Sequence, residues 1–324
     1  MLIETQRLII RDINKVDEIP FVEMAADGSL NDVGFDKGCN KWMSNWITEA
    51  KAFSIRNNPC MDYIAYTITL KDVHTVIGSV GCSYYEDLKE VGITYFIGAQ
   101  YRNNGYAVEA VKAYTQHFFN HYNVKKVIAT VREENIASWK VLEKAGFVLT
   151  EKKMYQDIND AEEVMYRFYE FTIHEMFINR YTQFLYEFEK GKTMVLSTSE
   201  NDKVTSRMMS VVQHDGLFYF QTDKTFRKYE QLINNPQIAL CIGNIQIEGT
   251  CKEIGHPLNN ASFCDIYKEC FGSSFNKYTS LKNERLFLVK PTYVERWLYV
   301  EGVPFIETFD VENEEYKLIK YEGM

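Results

Sequence analysis

The 324-residue chain has no apolar run long enough to span a bilayer, no repeat and no segment of biased composition. A helical membrane protein and a fibrous or disordered one are therefore not expected. It has few prolines, six, and no Gly/Pro/Ser-rich linker. It also lacks any run of Lys or Arg, and its net charge is −9, so nucleic acid is not an expected partner. Seven cysteines, an odd number, are scattered from Cys39 to Cys270 with no C-x-x-C spacing. Neither a disulfide framework nor a zinc site follows from that, and reduced thiols of a soluble cytoplasmic protein are the expectation. The opening Met1-Leu-Ile-Glu-Thr-Gln-Arg-Leu carries an acidic residue early and reads as a strand, not as a signal peptide.

What is present points to two domains, because 324 residues exceed what one core usually organises. Strand and helix patterns alternate up to about Phe171. Runs rich in β-formers cover 63–70, 76–84, 91–97 and 126–131. Between the last two, Ala107, Val111, Tyr114, Phe118 and Tyr122 recur at helical spacing. A second helix is bounded by Asn135, a capping residue, and Gly146, a stop. Strands at 147–151 and 163–170 close this α/β half. After a helix over 173–190, the pattern changes to eight short strands (193–199, 203–212, 217–222, 237–242, 245–254, 285–290, 293–300 and 303–309). Asp215-Gly216 marks a hairpin, and short helices fall near 224–234 and 258–271. This is the pattern of a small antiparallel barrel. The expected domains are 1–171 and 172–324.

Two groups of residues carry chemistry. In the first half, Arg102-Asn103-Asn104-Gly105-Tyr106-Ala107 lies between a strand and a helix N-terminus. Consecutive backbone N–H groups and the positive helix end would face a pyrophosphate there, with Gly105 permitting close approach. In the second half, Arg207, Thr222, Arg227 and Lys228 offer charged and hydroxyl donors for one phosphate in an otherwise acidic chain. The plain alternatives are an ordinary helix start and a solvated helix face.

The phrases Glu90-Val-Gly-Ile-Thr-Tyr-Phe-Ile, Tyr101-Arg-Asn-Asn-Gly-Tyr-Ala-Val-Glu-Ala, Glu134-Asn-Ile-Ala-Ser and Val141-Leu-Glu-Lys-Ala-Gly-Phe147 occur in that order. In them the first half resembles the GCN5-related N-acetyltransferases, in particular the ribosomal-protein acetyltransferase branch. The resemblance implies an α/β fold with a mixed sheet and direct transfer from acetyl-CoA to an amine of a small molecule or peptide. It implies that Tyr95, Phe96 and Ile97 hold the pantetheine, that residues 102–107 bind the pyrophosphate, and that Asn135 and Ser138 contact the CoA arm. Glu90 is the candidate base. Where many relatives have a tyrosine that protonates the leaving thiolate, this chain has Leu142.

The second half resembles the pyridoxamine-phosphate-oxidase-like, FMN-binding split barrels in Ser206-Arg207-Met-Met-Ser-Val-Val212, Phe220-Gln-Thr-Asp-Lys-Thr-Phe-Arg-Lys228, Asn235-Pro236 and Pro291-Thr-Tyr-Val-Glu-Arg-Trp297. The implied ligand is FMN, its phosphate on Arg207, Thr222, Arg227 and Lys228. Met208, Met209 and Ser210 would edge the ring, with Asn244, Gln246 and Trp297 also placed near it. A homodimer through the barrel is implied as well. The Arg-x-His pair that follows the Trp in true pyridoxamine-phosphate oxidases is missing from Trp297-Leu-Tyr-Val-Glu-Gly, so vitamin B6 oxidation is not expected. An FMN-dependent oxidoreductase fits more loosely, and the alternative is a barrel that only dimerises or senses a cofactor. His117 and His121 have metal-ligand spacing but no third ligand, so no metal is expected. Trp42 and Trp46 read as core.

Overall fold

A computed structural model describes every residue except Asn159, Glu301 and Met324, and the chain divides into two compact units, Met1–Met176 and Phe177–Met324. The division falls inside a helix, five residues beyond the boundary expected from the sequence.

The first unit is built on an eight-stranded sheet. Its strands are β1 (Leu2–Glu4), β2 (Leu8–Asp12), β3 (Ile64–Leu70), β4 (Val76–Tyr85), β5 (Glu90–Ile97), β6 (Lys126–Arg132), β7 (Val148–Tyr155) and β8 (Val164–Thr172). They lie in the order β1-β2-β3-β4-β5-β6-β8-β7. Every neighbouring pair is antiparallel except β5 and β6, which are parallel. Helices α1 (Glu18–Ala25) and α2 (Met43–Arg56) precede β3, α3 (Tyr106–His121) joins β5 to β6, and α4 (Ile136–Ala145) joins β6 to β7. Alternation decides which side of β5 each residue serves. Phe96 enters a core with Phe21, Phe35, Met43 and Ile47 from the α1–α2 region, while Tyr95 points the other way, to α4. Trp42 and Trp46 pack edge-on against Phe35 in that same core.

Helix α4 starts and stops as its caps dictate. The Asn135 side chain accepts from the Ser138 N–H, and Gly146 takes the left-handed conformation at φ 102°.

Helix α5 (Ile173–Phe188) carries the chain into the second unit. There the strands are β9 (Gly191–Glu200), β10 (Lys203–His214), β11 (Leu217–Asp223), β12 (Gln237–Ile242), β13 (Ile245–Glu253), β14 (Glu284–Val300), β15 (Val303–Asp310) and β16 (Glu315–Lys320). Helix α6 (Arg227–Asn234) follows β11 and α7 (Ala261–Tyr278) follows β13. The order is β11-β10-β9-β12-β13-β14, and β14 pairs back onto β11, so six antiparallel strands close a barrel. β15 and β16 extend it from β14. The sequence reading differs at two places. It broke β14 at Pro291, but the strand runs through, because Pro291 lies beyond the last β11 partner, Val289, and before the first β15 pair, at Tyr293. Its partner strand also slips register at Glu248/Gly249, opposite it. A missing N–H is tolerated at such a slip. The reading also missed β16, where Glu315, Lys317 and Lys320 hide a short strand with only Tyr316 buried.

Candidate functional site

Strands β5 and β6 share one bridge, Gly92 to Ile128, although β5 runs on to Ile97 and β6 to Arg132. Past Gly92 the two strands part, and the β6-facing edge of β5 is left without a strand partner. β5 remains paired to β4 along its full length, which keeps its far half rigid. The parting opens a cleft between two walls, β5 and the β6–α4 segment. Tyr95 spans it: its hydroxyl lies 2.9 Å from both the carbonyl oxygen and Oγ of Ser138 in the first turn of α4. Burial raises the Tyr95 pKa, so the phenol stays protonated.

At the end of β5 the chain turns through residues 98–105 into α3. Asn103 has φ 64° and Gly105 φ 80°, both left-handed, which bends the loop back over the start of the helix. The N–H groups at the head of α3, Tyr106 and Ala107 among them, have no acceptor within the helix. The side chains hold the loop instead of pointing from it. Arg102 donates to the carbonyls of Ile97 (3.0 Å) and Ser29 (2.9 Å). Asn104 donates to those of Tyr101 and Arg102. Thus Arg102 and Asn104, read from sequence as pyrophosphate ligands, are placed as the braces of a backbone cradle. Arg7, which the sequence reading passed over, donates to the Asn104 carbonyl (2.9 Å), pairs with Glu109 and lies over the Tyr106 ring. Burial works against the Glu109 carboxylate, but the bonds from Thr5 and Arg7 outweigh it and hold its pKa below the usual range.

Glu90 stands two residues before the Gly92–Ile128 bridge, on the closed side of the cleft. Its carboxylate pairs with Lys126 Nζ at 2.8 Å, and that bond raises the Lys126 pKa. A second carboxylate, unnoticed in the sequence, is placed differently. Asp157 follows β7; burial and the negative charges of Asp160 and Asp87 raise its pKa, against a bond from the Ile158 N–H and the charge of Arg132. It acts electrostatically on Tyr85, whose ring covers Gly92. Asp87 accepts from the Tyr155 hydroxyl (2.8 Å) in the same cluster. No sequence signal singled out Asp157, because its neighbours come from β4 and from the segment after β7, far apart in the chain. Leu142 is fully buried on α4.

In the second unit, alternation along β10 points Thr205, Arg207 and Met209 to one side, while Met208 is exposed on the other, with Ser210. Arg207 donates to Thr198 Oγ1 (2.7 Å), Thr205 Oγ1 (2.8 Å) and Gln231 Oε1 (2.7 Å). All three acceptors are neutral. A cavity of about 480 Å³ is lined by Thr205, Ser206, Arg207, Phe226, Arg227 and Lys228. Burial and the neighbouring Arg227 lower the Arg207 pKa; burial and Arg207 lower that of Lys228. Among the described residues Lys228 Nζ meets Met209 Sδ at 3.4 Å and the Phe226 ring at 5.3 Å, and the Glu284 charge opposes the lowering of its pKa. Three cations thus converge without an ion-pair partner among the described residues. Like charges gathered in this way are unfavourable until an anion joins them. Thr222 Oγ1, on β11, is buried without a hydrogen-bond partner, an orphan of the kind a ligand satisfies. The residues therefore fit a phosphate group.

Asn244, Gln246 and Trp297 do not line this cavity. Asn244 bonds to the Trp297 carbonyl, Gln246 donates to Glu248 (2.8 Å), and Trp297 packs edge-on to Tyr321. They gather where β13 meets β14. Around the barrel, two strands separate β13 from β10 in either direction.

A cleft between parting parallel strands, above a backbone cradle at a helix N-terminus, and a closed six-stranded barrel with a cation pocket define two classes of domain. Residues 7–148 match the acetyltransferase (GNAT) domain model and residues 182–298 the pyridoxamine 5'-phosphate oxidase model. The chain carries a GNAT acetyltransferase domain followed by a pyridoxamine 5'-phosphate oxidase-like domain. Among curated proteins it is similar to two uncharacterized N-acetyltransferases of Bacillus subtilis (strain 168). YnaD is 28% identical over 149 residues, covering 45% of this chain and 82% of YnaD. YjdG is 26% identical over 162 residues, covering 47% of this chain and 92% of YjdG. Among solved structures, the ribosomal-protein-S5-alanine acetyltransferase from Vibrio fischeri is 19% identical. Its TM-score is 0.44, with 53% of this chain and 96% of that one covered.

Among the described residues, no helix is long and apolar enough to cross a membrane. No group of three or more His, Cys, Asp or Glu among the described residues is placed to hold a metal. The His117 and His121 rings stack at 3.7 Å. All seven cysteines are free.

Proposed function

We propose that the first unit transfers an acetyl group from acetyl-CoA to an amine, and that the second binds FMN. The observation that carries the first half is the single Gly92–Ile128 bridge, beyond which β5 and β6 part over the Gly105 cradle. A pantetheine arm laid in the cleft completes the unpaired edge of β5. The pyrophosphate meets the N–H groups of the cradle, with Asn135 and Ser138 along the arm. A free β5 N–H in the open half, at Tyr95 to Ile97, supplies the donor for the developing oxyanion. We assign proton removal from the amine to Asp157 in preference to Glu90. Glu90 is held by Lys126 on the closed side, whereas the charge of Asp157 acts on Tyr85, whose ring covers Gly92 where the cleft begins. The acceptor is an amine of a small molecule or peptide.

The second half rests on the cations Arg207, Arg227 and Lys228, which line one cavity with no ion-pair partner among the described residues, and on the orphaned Thr222 Oγ1 of β11. Bound FMN would supply redox chemistry. The chain's own residues fix its phosphate, and the backbone of 208–210 borders the ring. Asn244, Gln246 and Trp297 lie around the barrel from the grip, so they serve a flavin held there only if a second copy contributes them. A homodimer through the barrel follows from this reading. We expect the protein to work in the cytoplasm.

Mass spectrometry of the native protein for bound FMN and CoA, and thiol release from acetyl-CoA with a panel of amines, test both halves. Thiol release dependent on an added amine supports the transferase. Absence of release with polyamines, aminoglycosides and peptide N-termini alike would overturn it.

A further inference from the structure

We propose that the Tyr95 hydroxyl protonates the departing thiolate of the acyl donor, taking a part that this chain cannot give to Leu142. The inference rests on the acyl-transfer reading above and adds a named proton source to it.

Leu142 lies one turn beyond Ser138 on α4, so the two residues share a face of the helix. Helical side chains lean toward the N-terminus, and a hydroxyl-bearing ring at 142 would extend back over the turn that contains Ser138. Here a phenol reaches the same turn from the opposite wall. Tyr95 is three residues past Gly92, on the half of β5 that has left β6, and its Oη ends 2.9 Å from Ser138 O and 2.9 Å from Ser138 Oγ. A thioester lying between the walls would pass this hydroxyl. Two other tyrosines on this sheet donate to carboxylates, whereas Tyr95 donates to a neutral carbonyl. Tyr155 donates to Asp87 and Tyr169 to Glu143. As a phenol Tyr95 carries its proton at neutral pH, and burial holds that proton more tightly until charge develops on the leaving sulfur.

The step balances without a further reagent. The amine nitrogen forms a bond to the acetyl carbon, the carbon–sulfur bond breaks with its electron pair going to sulfur, and sulfur takes the phenolic proton. The proton released by the acylated nitrogen, passed through Asp157 and solvent, restores the phenol. The Ser138 carbonyl oxygen and Oγ lie equally close to the hydroxyl, and the carbonyl contact survives in Ser138→Ala.

The test is steady-state kinetics of full-length Tyr95→Phe, Ser138→Ala and the wild type. Acetyl-CoA is used first, then an acetyl aryl thioester whose thiol leaves more readily. Loss of a general acid lowers kcat for Tyr95→Phe by about 10²-fold with acetyl-CoA, while KM for acetyl-CoA moves by less than about threefold and the melting temperature holds. The defect shrinks at least tenfold with the aryl thioester, because a weakly basic thiolate needs no proton, and a merely structural role for the ring would not respond in this way. Ser138→Ala loses only a few-fold. Leu142→Tyr placed on Tyr95→Phe recovers at least part of the lost rate if it folds; the leaving-group comparison does not depend on it. Full kcat in Tyr95→Phe, an equal defect with both donors, or an equal loss in Ser138→Ala overturns the proposal. A wild type that releases no thiol with any amine overturns the acyl-transfer reading itself, a different outcome from either.

Discussion

The ring of Tyr85 covers Gly92 so closely that a Cβ added at residue 92 would lie 2.1 Å from Cε2 and 2.7 Å from Cδ2. Gly92 is also the last β5 residue bridged to β6. One glycine therefore sets both the closing point of the cleft and the position of an aromatic wall. Gly92→Ala must displace Tyr85, and overpacking of this kind costs about 1–3 kcal/mol. The expected result is a lowered melting temperature with a larger loss of acetyl transfer. Tyr85→Ala in the same chain should recover the stability but not the transfer. A Gly92→Ala protein that melts and turns over as the wild type does would show that the ring is not held there.

Glu90 and Asp157 make opposite predictions for the base. Glu90→Gln removes one partner of a half-exposed ion pair with Lys126, so stability should change by less than about 1 kcal/mol and transfer should be nearly unaffected. Asp157→Asn should lower kcat/KM by about 10²-fold. Because the pKa of Asp157 is raised, the acidic limb of the wild-type pH profile should lie above that of an ordinary aspartate and vanish in Asp157→Asn. A large loss in Glu90→Gln with none in Asp157→Asn would reverse the assignment.

Much of this was legible in the chain because local physics wrote it there. Asn135 and Gly146 bound α4 as a cap and a stop should, Asp215-Gly216 turns a hairpin between paired strands, and the Arg207–Lys228 cations do converge. What escaped was decided by tertiary neighbours. Arg102 looked like a phosphate ligand, yet the carbonyls of Ile97 and Ser29 claim it. Arg7 became a brace only because β2 brings its loop beside Glu109 of α3. Glu90 pairs with Lys126, which no spacing rule places opposite it. Asn244 and Trp297 belong to the far side of the barrel from Arg207, a separation fixed by closure and invisible in sequence order.

The cation pocket should be more costly empty than its neutral variant. Lys228 has no carboxylate in an ion pair with it among the described residues, and burial and Arg207 act on it more strongly than the Glu284 charge, so Lys228→Met should leave the melting temperature of flavin-free protein unchanged or raised. The same change should weaken binding of added FMN by about 10- to 150-fold, the equivalent of one charged hydrogen bond of ~1.5–3 kcal/mol. Flavin fluorescence titration and thermal melts read the two effects. Lower stability without flavin, together with unaltered flavin affinity, would mean that the lysine serves packing and not an anion.

Glu284 gives a prediction of opposite sign to the usual carboxylate. It is 5% exposed, opposite Asp223 in the β11–β14 register. Burial first, then the Asp223 charge, push its pKa up to about 7, with Lys228 pulling the other way. The folded protein therefore binds a proton at Glu284 that the unfolded chain releases near its ordinary value of 4.5. Where the native state holds more protons than the unfolded one, stability falls as pH rises, here between about 4.5 and 7. The neutral side chain of Glu284→Gln has no such cost. Melting temperatures of the flavin-free variant and wild type should agree near the acid end of that window and diverge above it, the variant melting higher by roughly 2–4 °C for each kcal/mol recovered. If Glu284→Gln were instead the less stable protein at alkaline pH, the ionised carboxylate would have to be favourably held by Lys228, and the cation pocket would then have an internal counter-ion.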